Sequence, residues 1–233
     1  MEALKIAAEQ NGTEEHYLWP RTAIGNLQAE AWQRVGVSDW LADDPRSRPS
    51  QIILALREMV RNRLIPESFS VIDICCGDAL VLWQIKRAFP FSDCYGADIN
   101  AGSLDTHSMV SGSGVHLYRT TIQRLFKPLG TTWNKRPDDW IQFDIAIMLN
   151  TYRGWQSADL KDDEAWLPRA ADDWFKYRAK FTILTIDDGQ RQKLKDNGFW
   201  VADIGHGEDN SKMVLLFPCG TGDVENLWSK ARR

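Results

Sequence analysis

Long apolar runs are missing from this sequence: no stretch of 18 residues is apolar enough to read as a membrane-spanning helix. The opening residues, "MEALKIAAEQNGTEEH", lack the basic-then-apolar pattern of a secretory signal. A soluble, cytoplasmic protein with no membrane partner is expected. An excess of one charge is missing too. The 28 Lys and Arg face 32 Asp and Glu, for a net charge of -4. The basic residues form no single run, which disfavours nucleic acid as a partner. Cysteine is scarce, and Cys75, Cys76, Cys94 and Cys219 lack the paired spacing of a zinc site. Cys75 and Cys76 are neighbours, which argues against a mutual disulfide, so all four are expected to be reduced, small packing residues. Internal repeats and low-complexity tracts are absent as well.

What is present suits a single α/β domain with an appendage, because 233 residues is short for two ordinary domains. Eleven tryptophans are many for such a chain, and most are expected in the core. After a weakly patterned start, Ile24, Leu27, Ala31 and Val35 recur at helical spacing and Gly36 offers a stop. Beyond "ADDPRSRPS", the residues Ile52, Ile53, Leu56, Met59 and Val60 predict a second amphipathic helix to about Leu64. Residues 1–66 are thus expected to form an N-terminal helical cap or lid, and 67–233 the main domain.

From Val71 onward, apolar strands alternate with helical stretches. The strand candidates are Val71–Cys75, Cys94–Ile99, Val115–Thr120, Phe143–Leu149 and Phe181–Ile186. The stretch "FWVADIGHGEDNSKMVLLFP" then holds two strands around a Gly, Asp and Asn-rich turn, an antiparallel hairpin. The expected fold is α/β: a doubly wound, seven-stranded, mostly parallel sheet with a terminal antiparallel hairpin and N-terminal helices.

In such a sheet a ligand sits beyond the carboxyl ends of the strands, next to the first strand. There the chain reads "VIDICCGDALVLWQIKRAFP", a strand ending in an acid, two cysteines and one glycine before an amphipathic helix. Gly77 supplies a positive φ or close backbone approach, and the helix amino end offers N–H groups. A dinucleotide fingerprint would need glycine at Cys75, Gly77 and Leu80 and has it only at Gly77. The residues Asp73, Ile74, Cys75, Cys76, Gly77, Asp78 and Ala79 instead resemble the acid-x-Gly-x-Gly-x-Gly loop of the class I S-adenosylmethionine-dependent methyltransferases, with small Cys and Ala at two glycine positions.

That resemblance implies S-adenosylmethionine as cofactor, contacted by Asp73, Cys75 and Gly77. Asp98, at the end of the second strand, would hold the ribose hydroxyls, with Ile99 beside it. Thr121 and Ile122 would meet the adenine, Thr121 standing where the family commonly has an acid. Asn150, at the end of the fourth strand, would face the methyl donor. Methyl transfer is an in-line displacement that depends mainly on positioning. Asn150 and Tyr152 are therefore the expected catalytic residues, and Tyr152, Arg153, Trp155 and His206 the expected acceptor contacts. Cys75 and Cys76 are read as packing residues and not as nucleophiles, since no basic residue flanks them. The stretch 150–177 mixes Tyr152, Trp155, Trp166, Trp174 and Tyr177 with six acids, a composition that attracts amines but is better read as an amphipathic helix with its rings inward.

The reaction expected is methyl transfer to a small molecule, amine-bearing or hydroxylated. Two alternatives use the same residues: a scaffold that keeps the fold without turnover, and a methyltransferase acting on nucleic acid or protein. A metal is not expected. Asn150, Asp187 and Asp188 stand at two strand ends where catechol-type O-methyltransferases hold a divalent cation, but Asn150 is neutral and "TIDDGQ" reads as a helix cap.

Overall fold

A computed structural model of the chain describes residues 47–77, 79–98, 114–119, 142–149, 167–206 and 211–218. The helix expected around Thr22–Gly36 lies outside them.

The first described helix, α1 (Arg48–Arg61), is capped by Ser47, whose hydroxyl accepts from the Ser50 N–H at 3.3 Å. Its buried stripe of Ile52, Ile53, Ala55, Leu56 and Met59 follows the spacing seen in the sequence. Then come β1 (Ser70–Ile74), α2 (Leu80–Ala88), β2 (Asp93–Asp98), β3 (Val115–Arg119), β4 (Phe143–Met148), α3 (Leu167–Arg178), β5 (Ala179–Ile186), α4 (Asp188–Asp196), β6 (Phe199–His206) and β7 (Lys212–Pro218). All seven expected strands form. Most boundaries move by one residue, and β5 starts two residues early because Ala179 pairs with Phe143.

The strands form one sheet in the order β3-β2-β1-β4-β5-β7-β6. Strands β1 to β5 run parallel, while β7 lies antiparallel between β5 and β6. Successive residues alternate between two buried layers, so the strands are apolar throughout. Val71, Ile145, Ile147, Phe181, Ile183, Met213, Leu215 and Phe217 pack on the side of α1 and α2. Ile72, Ile74, Ala146, Met148, Leu184, Ile186, Val214 and Leu216 face α3 and α4. The rings of α3 point inward: Trp174 is buried, with its centroid 6.3 Å from that of Phe143 and 6.1 Å from that of Phe175. Trp155 and Trp166 lie outside the described residues.

Two features fix the ends of the sheet. At the amino end Asp144 Oδ2 accepts from the Ser70 N–H at 2.9 Å, while Lys180 Nζ donates to Asp144 Oδ1 at 2.6 Å, tying β1, β4 and β5 together. At the carboxyl end Gln51 of α1 accepts from the His206 N–H at 2.7 Å. The Gln51 amide lies where a β-carbon on Gly205 would be, beside an irregularity in the β6–β7 ladder. Among the described residues no helix is long and apolar enough to cross a membrane.

Candidate functional site

The strand order reverses at β1: β2 and β3 lie to one side, β4 and β5 to the other. In open α/β sheets the ligand crevice lies beyond the carboxyl ends of the strands at such a reversal. The turn that leaves β1 at Cys75 starts there.

Its backbone explains its sequence. The Cys75 N–H donates to Ala97 O at 2.8 Å and that of Cys76 to the same oxygen at 3.3 Å, so β1 stays joined to β2 as it ends. The chain then bends sharply, and Cys75, Gly77 and Ala79 have φ of 63°, 51° and 55°. These are the three positions at which the resembled loop carries glycine. Each is left-handed, a conformation costing a side-chain-bearing residue about 1–2 kcal/mol. Cys75 and Ala79 bear that strain with the least bulk available beside glycine and serine. Ala79 stands at the N-cap position of α2 and, as an alanine, offers no side-chain cap.

We expect Ala79→Gly to leave stability unchanged or raise it by up to about 1 kcal/mol, since it relieves a left-handed alanine. In a helix interior the same change loses about 1 kcal/mol. A lowered denaturation midpoint would count against this backbone.

Asp98 closes the turn from β2. Its Oδ2 accepts from the Gly77 N–H at 3.0 Å, bringing the ends of β1 and β2 to one point. Gly96, two residues earlier, lets this happen: a β-carbon there would lie 2.8 Å from Cys76 Sγ and 2.8 Å from Leu117 Cδ2. The glycine inside "CYGADIN" was the signal for that close approach. Gly96 was not among the expected site residues, and neither was the Ala97 carbonyl, which no side chain announces.

Asp73 lies beneath the turn, 4% exposed. Burial first, and then the Asp98 carboxylate, push its carboxyl well above the usual carboxylate range. The Cys76 thiol is likewise pushed up, by burial first and then by Asp73 and Asp98, which leaves it inert as a nucleophile. Cys75, Cys76 and Cys94 are free thiols, as expected; Cys219 lies outside the described residues.

The structure thus brings Asp73, Cys75, Gly77 and Asp98 together. Ile99, Thr121, Ile122, Asn150, Tyr152, Arg153 and Trp155 lie outside the described residues. His206 is exposed on the same rim of the sheet. Strands β4, β5 and β7 separate it from β1, about 19 Å at ordinary strand spacing. At the end of β5, Asp187 caps α4 in a reciprocal box: its Oδ1 accepts from the Gln190 N–H at 2.8 Å, and Gln190 Oε1 from the Asp187 N–H at 3.0 Å. Asp188 pairs with Lys212 at 3.0 Å, and that ammonium holds its carboxyl below the usual range. Among the described residues no three His, Cys, Asp or Glu converge as a metal site.

A tight left-handed turn, an acid on the neighbouring strand and a buried acid beneath suit a nucleoside bearing a cation. They do not suit a pyrophosphate, which the Asp98 carboxylate would repel. No protein-family model matches the chain, and no curated protein matches it by sequence. Solved structures do resemble it. The bifunctional kinase-methyltransferase WbdD superposes with a TM-score of 0.55 at 14% identity, over 79% of this chain and 42% of that one. WbdD with a kinase inhibitor gives 0.54 at 13%, over 76% and 41%. Magnesium protoporphyrin IX methyltransferase from Synechocystis, with bound S-adenosylmethionine, gives 0.49 at 14%, over 83% and 96%. The chain therefore spans about two-fifths of the WbdD chains it matches. With its strand order and terminal hairpin, it has the fold of the class I S-adenosylmethionine-dependent methyltransferases.

Proposed function

We propose that the protein transfers a methyl group from S-adenosylmethionine to a small-molecule acceptor. The observation that carries this reading is the turn after β1, where Cys75, Gly77 and Ala79 keep the left-handed backbone of a glycine loop while Gly77 is tied to Asp98. A fold kept for another purpose has no need of two strained side-chain-bearing residues at these positions.

In this reading Gly77 and Cys75 line the cofactor with backbone, and Asp98 accepts from the ribose hydroxyls. A carboxylate has about four acceptor sites, more than the Gly77 N–H uses. Ile99, Thr121 and Ile122 follow β2 and β3 and meet the adenine. When bound, the cofactor supplies a methyl group on a sulfonium, which a nucleophile displaces in line. Asn150 and Tyr152 orient that nucleophile, and Arg153 and Trp155 hold the rest of the acceptor. A role for His206 requires an acceptor long enough to reach along the rim. Engagement of Asp187 as a helix cap and of Asp188 with Lys212 supports a reaction without a divalent cation at the end of β5.

The test is thermal unfolding with S-adenosylhomocysteine. At 100 times its Kd a ligand adds about 2.7 kcal/mol, or roughly 5–10 °C in Tm for a domain of this size. No shift, together with no heat of binding, overturns the reading. A shift without transfer of labelled methyl to any amine or phenol leaves a binding protein, and transfer only to RNA or protein corrects the acceptor.

A further inference from the structure

Thr185 is fully buried near the carboxyl end of β5, and its Oγ1 meets no hydrogen-bond partner among the described residues. A hydroxyl taken out of water without a partner destabilises a fold, and valine has the same shape without that cost. Its surroundings show what the hydroxyl is placed to meet. Side chains alternate along β5, so Thr185 shares a face with Phe181 and Ile183, the face on which α1 packs. Thr185 of β5, Met213 of β7 and Gly205 of β6 stand in one row across the sheet, and the Gln51 amide of α1 occupies the place of a β-carbon on Gly205. Helix α1 starts at this carboxyl rim, where Gln51 meets the His206 N–H, and the chain then runs back to the amino end of β1. Arg48 comes three residues before Gln51, on the same side of the helix and about 4.5 Å further toward the rim.

The Arg48 side chain is buried as well, 7% exposed. It is held by contacts of its own, and its Nη1 is a donor that meets no acceptor among the described residues. A helix amino end carries partial positive charge, which disfavours a buried cation in the first turn. The first turn of α1 has no acid to offset it. The acids at the end of β5 are engaged, since Asp187 caps α4 and Asp188 pairs with Lys212. A guanidinium nitrogen, a hydroxyl and a helix amino end are satisfied together by an anion. One guanidinium balances one charge, and its planar fork matches the two oxygens of a carboxylate.

We propose that Arg48 and Thr185 bind a carboxylate of the acceptor, so that the molecule methylated is an amine or hydroxyl compound that also carries an acid group. β5 lies two strand spacings from β1, about 10 Å, a distance that one aromatic ring with its substituents bridges.

This inference rests on the methyltransferase reading above. The experiment is titration calorimetry of the full chain saturated with S-adenosylhomocysteine, using carboxylates and their neutral amides: benzoate and benzamide, salicylate and salicylamide, anthranilate and anthranilamide. At least one carboxylate is expected to bind about tenfold or more tightly than its amide, and to lose that preference in Arg48→Gln while S-adenosylhomocysteine binds as before. If no carboxylate binds better than its amide, or the preference persists in Arg48→Gln, the proposal is overturned and the cofactor reading stands. No binding of S-adenosylhomocysteine overturns both. Thr185→Val separates a binding role from a structural one, and it decides alone if Arg48→Gln does not fold. In the ligand-free protein its Tm is expected to rise by about 2–4 °C, because an unpartnered buried hydroxyl is gone, while carboxylate binding weakens. A lowered Tm, or undiminished carboxylate binding, overturns the proposal.

Discussion

Gly77→Val is expected to abolish binding of S-adenosylhomocysteine in a protein whose sheet still folds. At φ of 51° a β-branched side chain stands in a conformation that valine rarely adopts, at a cost of about 1–2 kcal/mol or more. That cost falls on the turn and not on β1, whose residues Ser70 to Ile74 all keep their pairing with β2. The isopropyl group would also stand where backbone must approach the ligand. Cys76→Ser is the matched control. Cys76 faces the core beside Gly96 and not the crevice, so its loss touches stability and leaves affinity within about twofold. Circular dichroism establishes that each variant folds, and calorimetry measures binding. The reverse ranking would mean that the turn holds its ligand in another register.

Asp98→Ala is expected to weaken cofactor binding about 10- to 150-fold, the equivalent of about 1.5–3 kcal/mol for hydrogen bonds to a charged acceptor. Two losses combine: the acceptor proposed for the ribose hydroxyls, and the Oδ2 that fixes the Gly77 N–H. Asp98→Asn should fall between, because an amide oxygen still accepts from Gly77. Unchanged affinity in folded Asp98→Ala would remove Asp98 from the site.

The sheet was legible because alternating buried strands and a hairpin turn are local patterns. The acids show where that legibility stops. Asp73, Asp98 and Asp144 each sit in or at the end of an apolar strand, and sequence pattern alone gives them similar standing. Parallel strands place Asp73 and Asp98 together beside the crevice, while Asp144 falls at the opposite end, where it binds Ser70 and Lys180. Position along the strand separates a ligand-facing acid from a stabilising one. Similarly, "CCGDA" looks like a damaged glycine loop, and only the backbone angles show that Cys75 and Ala79 adopt the conformation glycine would. His206 illustrates the opposite limit. Its place in the hairpin suggested nearness to the substrate, but strand order sets it four strand spacings from β1, and the insertion of β7 ahead of β6 has no local signature.

That insertion also governs how the sheet is completed during synthesis. β5 pairs with β4 on one side, and its other edge is satisfied only by β7, which the ribosome makes after β6. Until β7 emerges, β6 has no partner strand and β5 presents the open edge of Thr182 to Ile186, a row of unpaired N–H and C=O groups on an apolar strand. Such an edge is a template for strand addition by another molecule. A nascent chain of this protein therefore exposes the β5 edge to intermolecular pairing between the synthesis of β5 and that of β7, and β7 ends that exposure by closing the edge.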